Sequence, residues 1–193
     1  MEENITDKNP SPAQPQNMRS PRGEVYDWMQ CIVTALVFCV LLFVFVVRLV
    51  DVNGPSMQPT LWNSDKMVVS NILYTPKQGD IIIFKKTQFK DEALVKRVIA
   101  TAGQTVNIDF SRGVVYVNGE ALDEPYTAEP TNNQIDFNGE VTVPEGCIFV
   151  MGDNRNDSTD SRDNRIGMVD TRLVIGKVYI TLFPFAHFGS VYK

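Results

Sequence analysis

Two residues in unusual local surroundings could together carry out nucleophilic chemistry. Ser56 lies in the segment Gly54–Thr60, where a glycine and two prolines restrict the backbone. Lys96 lies in the middle of the apolar stretch Ala93–Ala100, which has the composition of a β-strand. Because side chains alternate along a strand, we expect Lys96 to face the apolar side and Arg97 the solvent. Burial favours the neutral amine, which could then remove the proton of a serine hydroxyl.

Simpler interpretations of these two residues stay open at this point. A serine in a segment rich in glycine and proline is commonly part of a turn, here between a helix and a domain. The amine of Lys96 could also reach water along the protein surface. A third candidate is the polar segment Met151–Arg162, which follows the strand-like residues 147–150. By itself it could be a solvated loop or a calcium loop, although it lacks the residue order of an EF-hand.

Other catalytic groups are scarce in the chain. A single histidine, His187, lies in an aromatic segment, so a Ser-His-Asp triad has no good source of a base. Three scattered cysteines, Cys31, Cys39 and Cys147, suit neither a disulfide framework nor a zinc site. Neither a P-loop nor a GxGxxG motif is present. We therefore expect no metal and no cofactor.

The overall composition is that of a globular protein, but the composition of the N-terminal part differs from that of the rest. The chain has 193 residues, 44% of them hydrophobic and 21% charged, and a net charge of -5. An acidic chain of this kind argues against nucleic acid as a partner. Residues 1–25 hold four of the eleven prolines among polar and charged side chains, which indicates a disordered tail.

Residues 26–50 are predicted to form a transmembrane anchor helix. Within them, Cys31–Val47 contains no charged residue, and about 20 mainly apolar residues are needed to cross a bilayer. A buried core helix would usually show a polar stripe, and a cleaved signal sequence would be shorter and end in a small-x-small site. We expect a retained single-pass anchor with the N-terminal tail in the cytoplasm and the following domain outside it.

The remaining residues, 51–193, are predicted to form one β-rich domain. Short runs rich in valine and isoleucine alternate with turns, and Asn118-Gly119 is a strong hairpin signal. This pattern is typical of a barrel or of paired sheets. The predicted fold is therefore mainly β, with a single N-terminal transmembrane helix followed by an extracytoplasmic β-barrel or paired-sheet catalytic domain.

Taken together and in this order, the motifs resemble those of the bacterial type I signal peptidases, which are membrane-anchored Ser-Lys endopeptidases. Residues Ser56–Thr60 are similar to the SMxPT nucleophile box, and Lys96–Ala100 followed by Gly103 to the lysine box. Residues Gly152–Arg162 are similar to the GDNRxxSxDSR box, and Gly79–Phe84 to a GD-plus-apolar strand box. Two positions depart from the family pattern: Gln78 stands where the strand box usually has arginine, and Gln104 stands where the lysine box usually has aspartate. Both concern loop packing and leave the catalytic groups intact.

The resemblance implies a role for each matching residue. Ser56 would be the nucleophile, Lys96 the general base, and Ser158 would hydrogen-bond the Lys96 amine. Asp160 and Arg162 would pair to hold their loop in place. The Ser56 N–H would stabilise the oxyanion. Some members of the family have a serine two residues before the nucleophile, and its hydroxyl is a second donor to the oxyanion. This chain has Gly54 at that position, as in the form typical of Gram-positive enzymes. Apolar pockets for small substrate side chains would be lined by five residues: Val52, Met57, Leu61, Leu94 and Val95.

The expected function is removal of signal peptides from exported preproteins after a small-x-small motif, at a bacterial plasma membrane, with the lipid bilayer and the preproteins as partners. One alternative is a related Ser-Lys peptidase for a narrower set of membrane-tethered precursors, such as pilins or spore proteins. Others are an inactive anchored β-domain that acts as an adaptor, and a soluble self-cleaving repressor, which the anchor disfavours.

Overall fold

The structure, a computed structural model, describes residues 21–45, 48–86 and 92–192. Contacts between Cα atoms divide the chain into two compact units, residues 1–41 and 42–193. Of the predicted disordered tail, residues 1–25, the first twenty lie outside the described residues. From residue 21 onward this segment is helical.

One α-helix, α1 (Pro21–Phe45), makes up most of the N-terminal part. Proline fits the first position of a helix because the N–H that it lacks would have no intrahelical partner there. Within α1, residues 23–41 have a mean hydropathy of 1.5, so the length and composition are those of a helix that could cross a membrane. The helix begins earlier than the predicted anchor, residues 26–50. Residues 48–50 of that anchor instead belong to a strand, because they pair with the strand that follows.

In the part of the chain that the structure describes, twelve short strands form two antiparallel sheets. Their bounds are β1 (Arg48–Asp51), β2 (Lys66–Ser70), β3 (Ile81–Lys85), β4 (Ala93–Thr101), β5 (Thr105–Asp109), β6 (Val114–Val117), β7 (Glu120–Ala121), β8 (Val141–Thr142), β9 (Cys147–Met151), β10 (Val169–Asp170), β11 (Val174–Phe183) and β12 (Gly189–Ser190). Two 3-10 turns, Thr171–Leu173 and Phe185–His187, flank β11.

The mainly β prediction is confirmed, but the barrel alternative is wrong. The larger sheet has the strand order β1-β2-β11-β3-β4-β9-β10, with β12 paired to β11. Its outer strands, β1 and the two-residue β10, do not pair with each other, so the described sheet is open. The smaller sheet has the order β7-β6-β5-β8.

The two sheets share an apolar cluster at one end of the larger sheet. Ile99 of β4 and Phe149 of β9 pack there with Val106 and Val115 of the smaller sheet. The predicted hairpin lies on the smaller sheet, where Asn118 and Gly119 connect β6 to β7. Both have a positive φ, 53° and 79°, as a type I′ turn requires.

The centre of the larger sheet positions the residues discussed next. Strand β3 is buried on both faces from Ile81 to Phe84, because Ile81 and Ile83 pack into one apolar cluster and Ile82 and Phe84 into another. Strand β4 pairs with β3 and β9 along its two edges, and its residues Lys96–Ala100 are buried as well.

Candidate active site

Ser56 lies in the loop between β1 and β2, residues 52–65. Two main-chain hydrogen bonds close the base of this loop: Val52 N donates to Asp65 O at 2.8 Å, and Ser64 N donates to Val52 O at 2.9 Å. The loop thus begins and ends on paired strands, which restricts the position of Ser56 within it.

The path of the chain just before Ser56 depends on Gly54. This residue has a φ of +98°, a conformation that favours glycine. Its N–H donates to Asn63 Oδ1 at 2.9 Å, so it is already used within the loop. Met57 and Leu61 anchor the loop from below, since both are buried in the apolar cluster beneath it.

The structure brings Lys96 of β4 into contact with Ser56. The lysine Nζ lies 2.7 Å from Ser56 Oγ and 3.0 Å from the main-chain oxygen of Val95. Lys96 is 2% exposed and is opposite Ile82 of β3 in the sheet register. A buried lysine amine at hydrogen-bonding distance from a half-buried serine hydroxyl is the arrangement that proton transfer from the serine requires.

Burial lowers the pKa of Lys96 to about 8. The charged amine loses hydration inside the protein, and this loss is the largest effect on the pKa. The carboxylates of Asp160 and Asp153 raise the pKa and so oppose part of the effect, whereas the guanidinium of Arg162 lowers it further. A pKa of about 8 leaves about one tenth of the amines neutral at pH 7.

The expectation that Arg97 faces solvent is wrong. Arg97 is 4% exposed, and its guanidinium makes two hydrogen bonds to Asp153, at 2.8 and 2.6 Å. It also donates to Gly79 O at 3.0 Å and lies 3.8 Å from the ring centroid of Tyr126. Alternation along β4 does turn Arg97 away from Lys96, but loops cover that face of the strand. The buried charge is stable there because Asp153 balances it.

The polar segment predicted to support the dyad passes directly behind Ser56. A Cβ atom at Gly152 would lie 2.6 Å from Ser158 Cβ and still closer to Ser158 Oγ and to the carbonyl oxygen of Ser56. Only glycine allows this approach. The hydrogen bond predicted between Ser158 and Lys96 is not formed: Ser158 Oγ is buried and has no hydrogen-bond partner among the described residues.

Asp160 and Arg162 are brought together in the same segment. Both side chains are fully buried, and Arg162 donates to the two carboxylate oxygens of Asp160 at 2.9 and 2.8 Å. Asp160 also accepts a hydrogen bond from Gly152 N at 3.0 Å. The pair therefore ties residues 160–162 to the glycine that lies behind Ser56.

An open groove of about 590 Å³ runs past Ser56 and Lys96. Of the five residues predicted to line substrate pockets, Leu94 lies on this groove. Val52, Met57 and Leu61 are buried in the core, and Val95 packs against that core, so these four lie outside the groove wall. The wall is instead completed by polar and charged residues: Asn53, Asn133, Asn156, Asp157, Ser158, Thr159, Asp163 and Arg165, together with Ile135.

Comparison with known proteins identifies the family. The family model described as "Signal peptidase, peptidase S26" matches residues 25–183. The chain belongs to this family. The family resemblance predicted from the sequence motifs is thereby confirmed.

Curated relatives of the signal peptidase family match most of the chain. A probable signal peptidase I-1 from Synechocystis sp. is 35% identical over 182 residues and covers 89% of each chain. A signal peptidase I from Bacillus licheniformis is 35% identical over 175 residues, or 85% of this chain and 91% of the relative. A crystal structure of a signal peptidase I from Enterococcus faecalis V583 is 32% identical, covering 54% of this chain and 97% of that one with a TM-score of 0.46.

Membership of the signal peptidase family makes this protein a serine endopeptidase, a hydrolase, and supports cleavage of signal peptides. Among residues 21–45, 48–86 and 92–192, no group of three His, Cys, Asp or Glu side chains could hold a metal ion.

Sequence reasoning missed the contribution of residues 118–140. Glu124 forms hydrogen bonds of 2.7 and 2.5 Å with Arg155, which is 1% exposed, and Arg155 also donates to Gly152 O. Ile135, with a φ of 55°, lies on the groove. A β-branched residue in the left-handed region leaves no signal in a single sequence. The ion pair could have been suspected only from the arginine of the GDNR box, which needs a carboxylate if it is buried.

Proposed function

We propose that Ser56 and Lys96 are a catalytic dyad that removes signal peptides from exported preproteins after a small-x-small motif. The observation that carries the proposal is the 2.7 Å separation of the buried Lys96 Nζ and the half-buried Ser56 Oγ beside the groove. A pKa of about 8 makes the amine a usable base near neutral pH. Family membership supplies the reaction class and the substrate class.

In the first half of the reaction, the neutral amine of Lys96 takes the proton of Ser56 as Oγ bonds to the scissile carbonyl carbon. The carbonyl oxygen becomes an oxyanion, which the Ser56 N–H stabilises by donating a hydrogen bond. Lys96 then gives its proton to the departing amine nitrogen as the C–N bond breaks. The product left on the protein is an ester of Ser56.

In the second half, Lys96 acts as a base again. It removes a proton from water as the water oxygen bonds to the ester carbonyl carbon, and it returns that proton to Ser56 Oγ as the C–O bond breaks. Asp160 and Arg162 support this cycle by fixing the segment behind Ser56. Ser158 supports it from the wall of the groove that it shares with Ser56 and Lys96.

The substrate would lie along the groove, with a small side chain against Leu94. Val52, Met57 and Leu61 belong to the core cluster below the nucleophile loop, Val95 packs against it, and none of the four lines the groove. The preference for small side chains is therefore proposed from family membership.

We further propose that helix α1 anchors the protein in the bacterial plasma membrane as a single span, with the residues before it in the cytoplasm and the β-rich domain, from residue 48 onward, outside it. The helix that could cross a membrane supports the anchor. Tethering confines the protease to the surface at which the scissile bonds of preproteins emerge, and this raises its effective concentration there.

The test is cleavage of a preprotein with an Ala-x-Ala site by the full-length protein in detergent. Both Ser56→Ala and Lys96→Ala are expected to lower the rate by more than about 1,000-fold, because removing either member of a catalytic unit abolishes its chemistry. Lys66→Ala is the matched control, since Lys66 is half-exposed and pairs only with Asp51 among the described residues. A Lys96→Ala protein that cleaves at the normal rate would exclude the dyad.

The same assay separates the narrower alternatives. Cleavage of a general secretory preprotein, but with strong preference for pilin or spore-protein precursors, would indicate a dedicated peptidase. Binding of preproteins with no cleavage by the wild-type protein would indicate an anchored adaptor.

A further inference from the structure

Asn154 holds the backbone of Ser56 through two hydrogen bonds. Its main-chain N–H donates to Ser56 O at 3.1 Å. Its side-chain Nδ2 donates to Pro55 O at 3.3 Å. Asn154 lies 98 residues after Ser56 in the chain. A distant segment therefore fixes the backbone of the nucleophile loop at Ser56 itself.

The bond to Pro55 O sets the direction of the Ser56 N–H. The carbonyl of Pro55 and the N–H of Ser56 belong to one planar trans peptide group, in which they point in opposite directions. Pro55 O accepts from Asn154 Nδ2 and also from Gln58 N at 3.0 Å. Two donors on the oxygen fix the plane, and this aims the N–H away from them. Among the described residues, that N–H has no hydrogen-bond acceptor.

Few other donors at this loop can replace the Ser56 N–H. Position 54 has no side chain, and the Gly54 N–H is bonded to Asn63 Oδ1. An oxyanion that depends on one main-chain donor depends strongly on the direction of that donor, because hydrogen bonds weaken steeply when misaligned.

Asn154 is itself held in place by buried charges on both sides. The preceding residue, Asp153, is fully buried and accepts from Arg97 and from Thr60, the latter at 2.5 Å. The following residue, Arg155, is 1% exposed and is paired with Glu124. A rigid backbone between two ion pairs allows a short amide side chain to act as a fixed support.

We propose that Asn154 is a positioning residue that aims the Ser56 N–H at the oxyanion. This inference rests on the proposed function of Ser56 as the nucleophile. Removing the amide leaves the plane of the Pro55–Ser56 peptide group less restricted. This weakens the stabilisation of the oxyanion but leaves the binding of the substrate unchanged.

The experiment measures kcat, KM and the affinity for two peptides in the full-length protein. One peptide is a boronate that forms a tetrahedral adduct with Ser56, and the other is an uncleavable substrate with an N-methylated scissile amide. The variants are Asn154→Ala and Asn154→Leu, the second of which keeps the branched shape of the side chain. Asn164→Ala is the control, because Asn164 is an exposed asparagine of the same polar region and lies outside the groove.

Both Asn154 variants are expected to lower kcat by about 10- to 100-fold, as small misplacements at a reacting centre do. They should weaken the boronate by the same factor and change KM and the affinity for the N-methylated peptide by less than about two-fold. A kcat within about two-fold of wild type in either variant that folds would overturn the proposal. So would a parallel loss of affinity for both peptides or a failure of both variants to fold, since each indicates a structural role. Failure of the dyad is a separate result, namely cleavage by Ser56→Ala.

Discussion

Replacing Gly152 with alanine tests how closely the polar segment approaches Ser56, the proposed nucleophile. Gly152 has an ordinary φ, so alanine can adopt its backbone conformation, and the added methyl group is the only new element. That methyl carbon would lie 2.6 Å from Ser158 Cβ and closer still to the Ser56 carbonyl oxygen. An ordinary contact begins at 3.4 Å, so Ser158 must retreat by about 0.8 Å and the Ser56 carbonyl by more.

A displacement of this size at the nucleophile has a calculable effect on rate. Moving a reacting group by about 1 Å can cost about 100-fold, and overpacking costs about 1–3 kcal/mol of folding stability. We therefore expect Gly152→Ala to lower kcat by about 100-fold while the protein stays folded. Both quantities are measurable on one sample, by preprotein cleavage and by thermal unfolding in detergent.

The control for this prediction is Gly139→Ala. Gly139 has a φ of +73° with open space around its position, so alanine there is strained but meets no neighbour. It should lower stability by about 1 kcal/mol and leave kcat unchanged. If Gly152→Ala cleaved at the wild-type rate with an unchanged melting temperature, the close approach of Gly152 to Ser56 would be refuted.

Two further predictions concern charge. Under the proposed mechanism the neutral form of Lys96 is the base, so kcat/KM should rise about tenfold per pH unit below the pKa of about 8 and level off above it; a rate profile that still climbs at pH 10 would contradict burial of the amine. Glu124→Gln removes the charge that balances Arg155 and should cost about 3–5 kcal/mol in an unfolding measurement. Glu120→Gln, at an exposed position, should change that value by less than about 0.5 kcal/mol, and equal effects of the two would show that the pair is not buried.

The parts of the fold that depend on neighbouring residues were predictable from the sequence. Lys96 and Arg97 lie on opposite faces of β4, as alternation predicts, and Asn118-Gly119 forms the expected hairpin. Both follow from the period of a strand or from the dihedral preferences of two residues. The contact between Ser56 and Lys96 could not be predicted from local patterns, since 40 residues separate them. The family motifs indicated this contact, whereas the periodicity of the strands did not.

What could not be predicted depends on contacts between distant segments. Arg97 is buried because Asp153 reaches it from 56 residues further along the chain. The sheet stays open because β1 and β10 are its outer strands, a matter of strand order that local patterns do not encode. The start of β1 looked like the end of the apolar helix, since Leu49 and Val50 are apolar in both interpretations.

The two ion pairs beside Lys96 have a consequence for the electrical state of the site through a turnover. Arg97 with Asp153 and Arg162 with Asp160 are each neutral as a pair. These two pairs and Lys96 therefore carry zero net charge when Lys96 is neutral, and under the proposed mechanism the ammonium that forms is balanced by the oxyanion. Only the resting protonated state carries an unbalanced positive charge. Charge separation during the reaction thus avoids the cost of burying an unbalanced ion, and the one state with that cost is the inactive one.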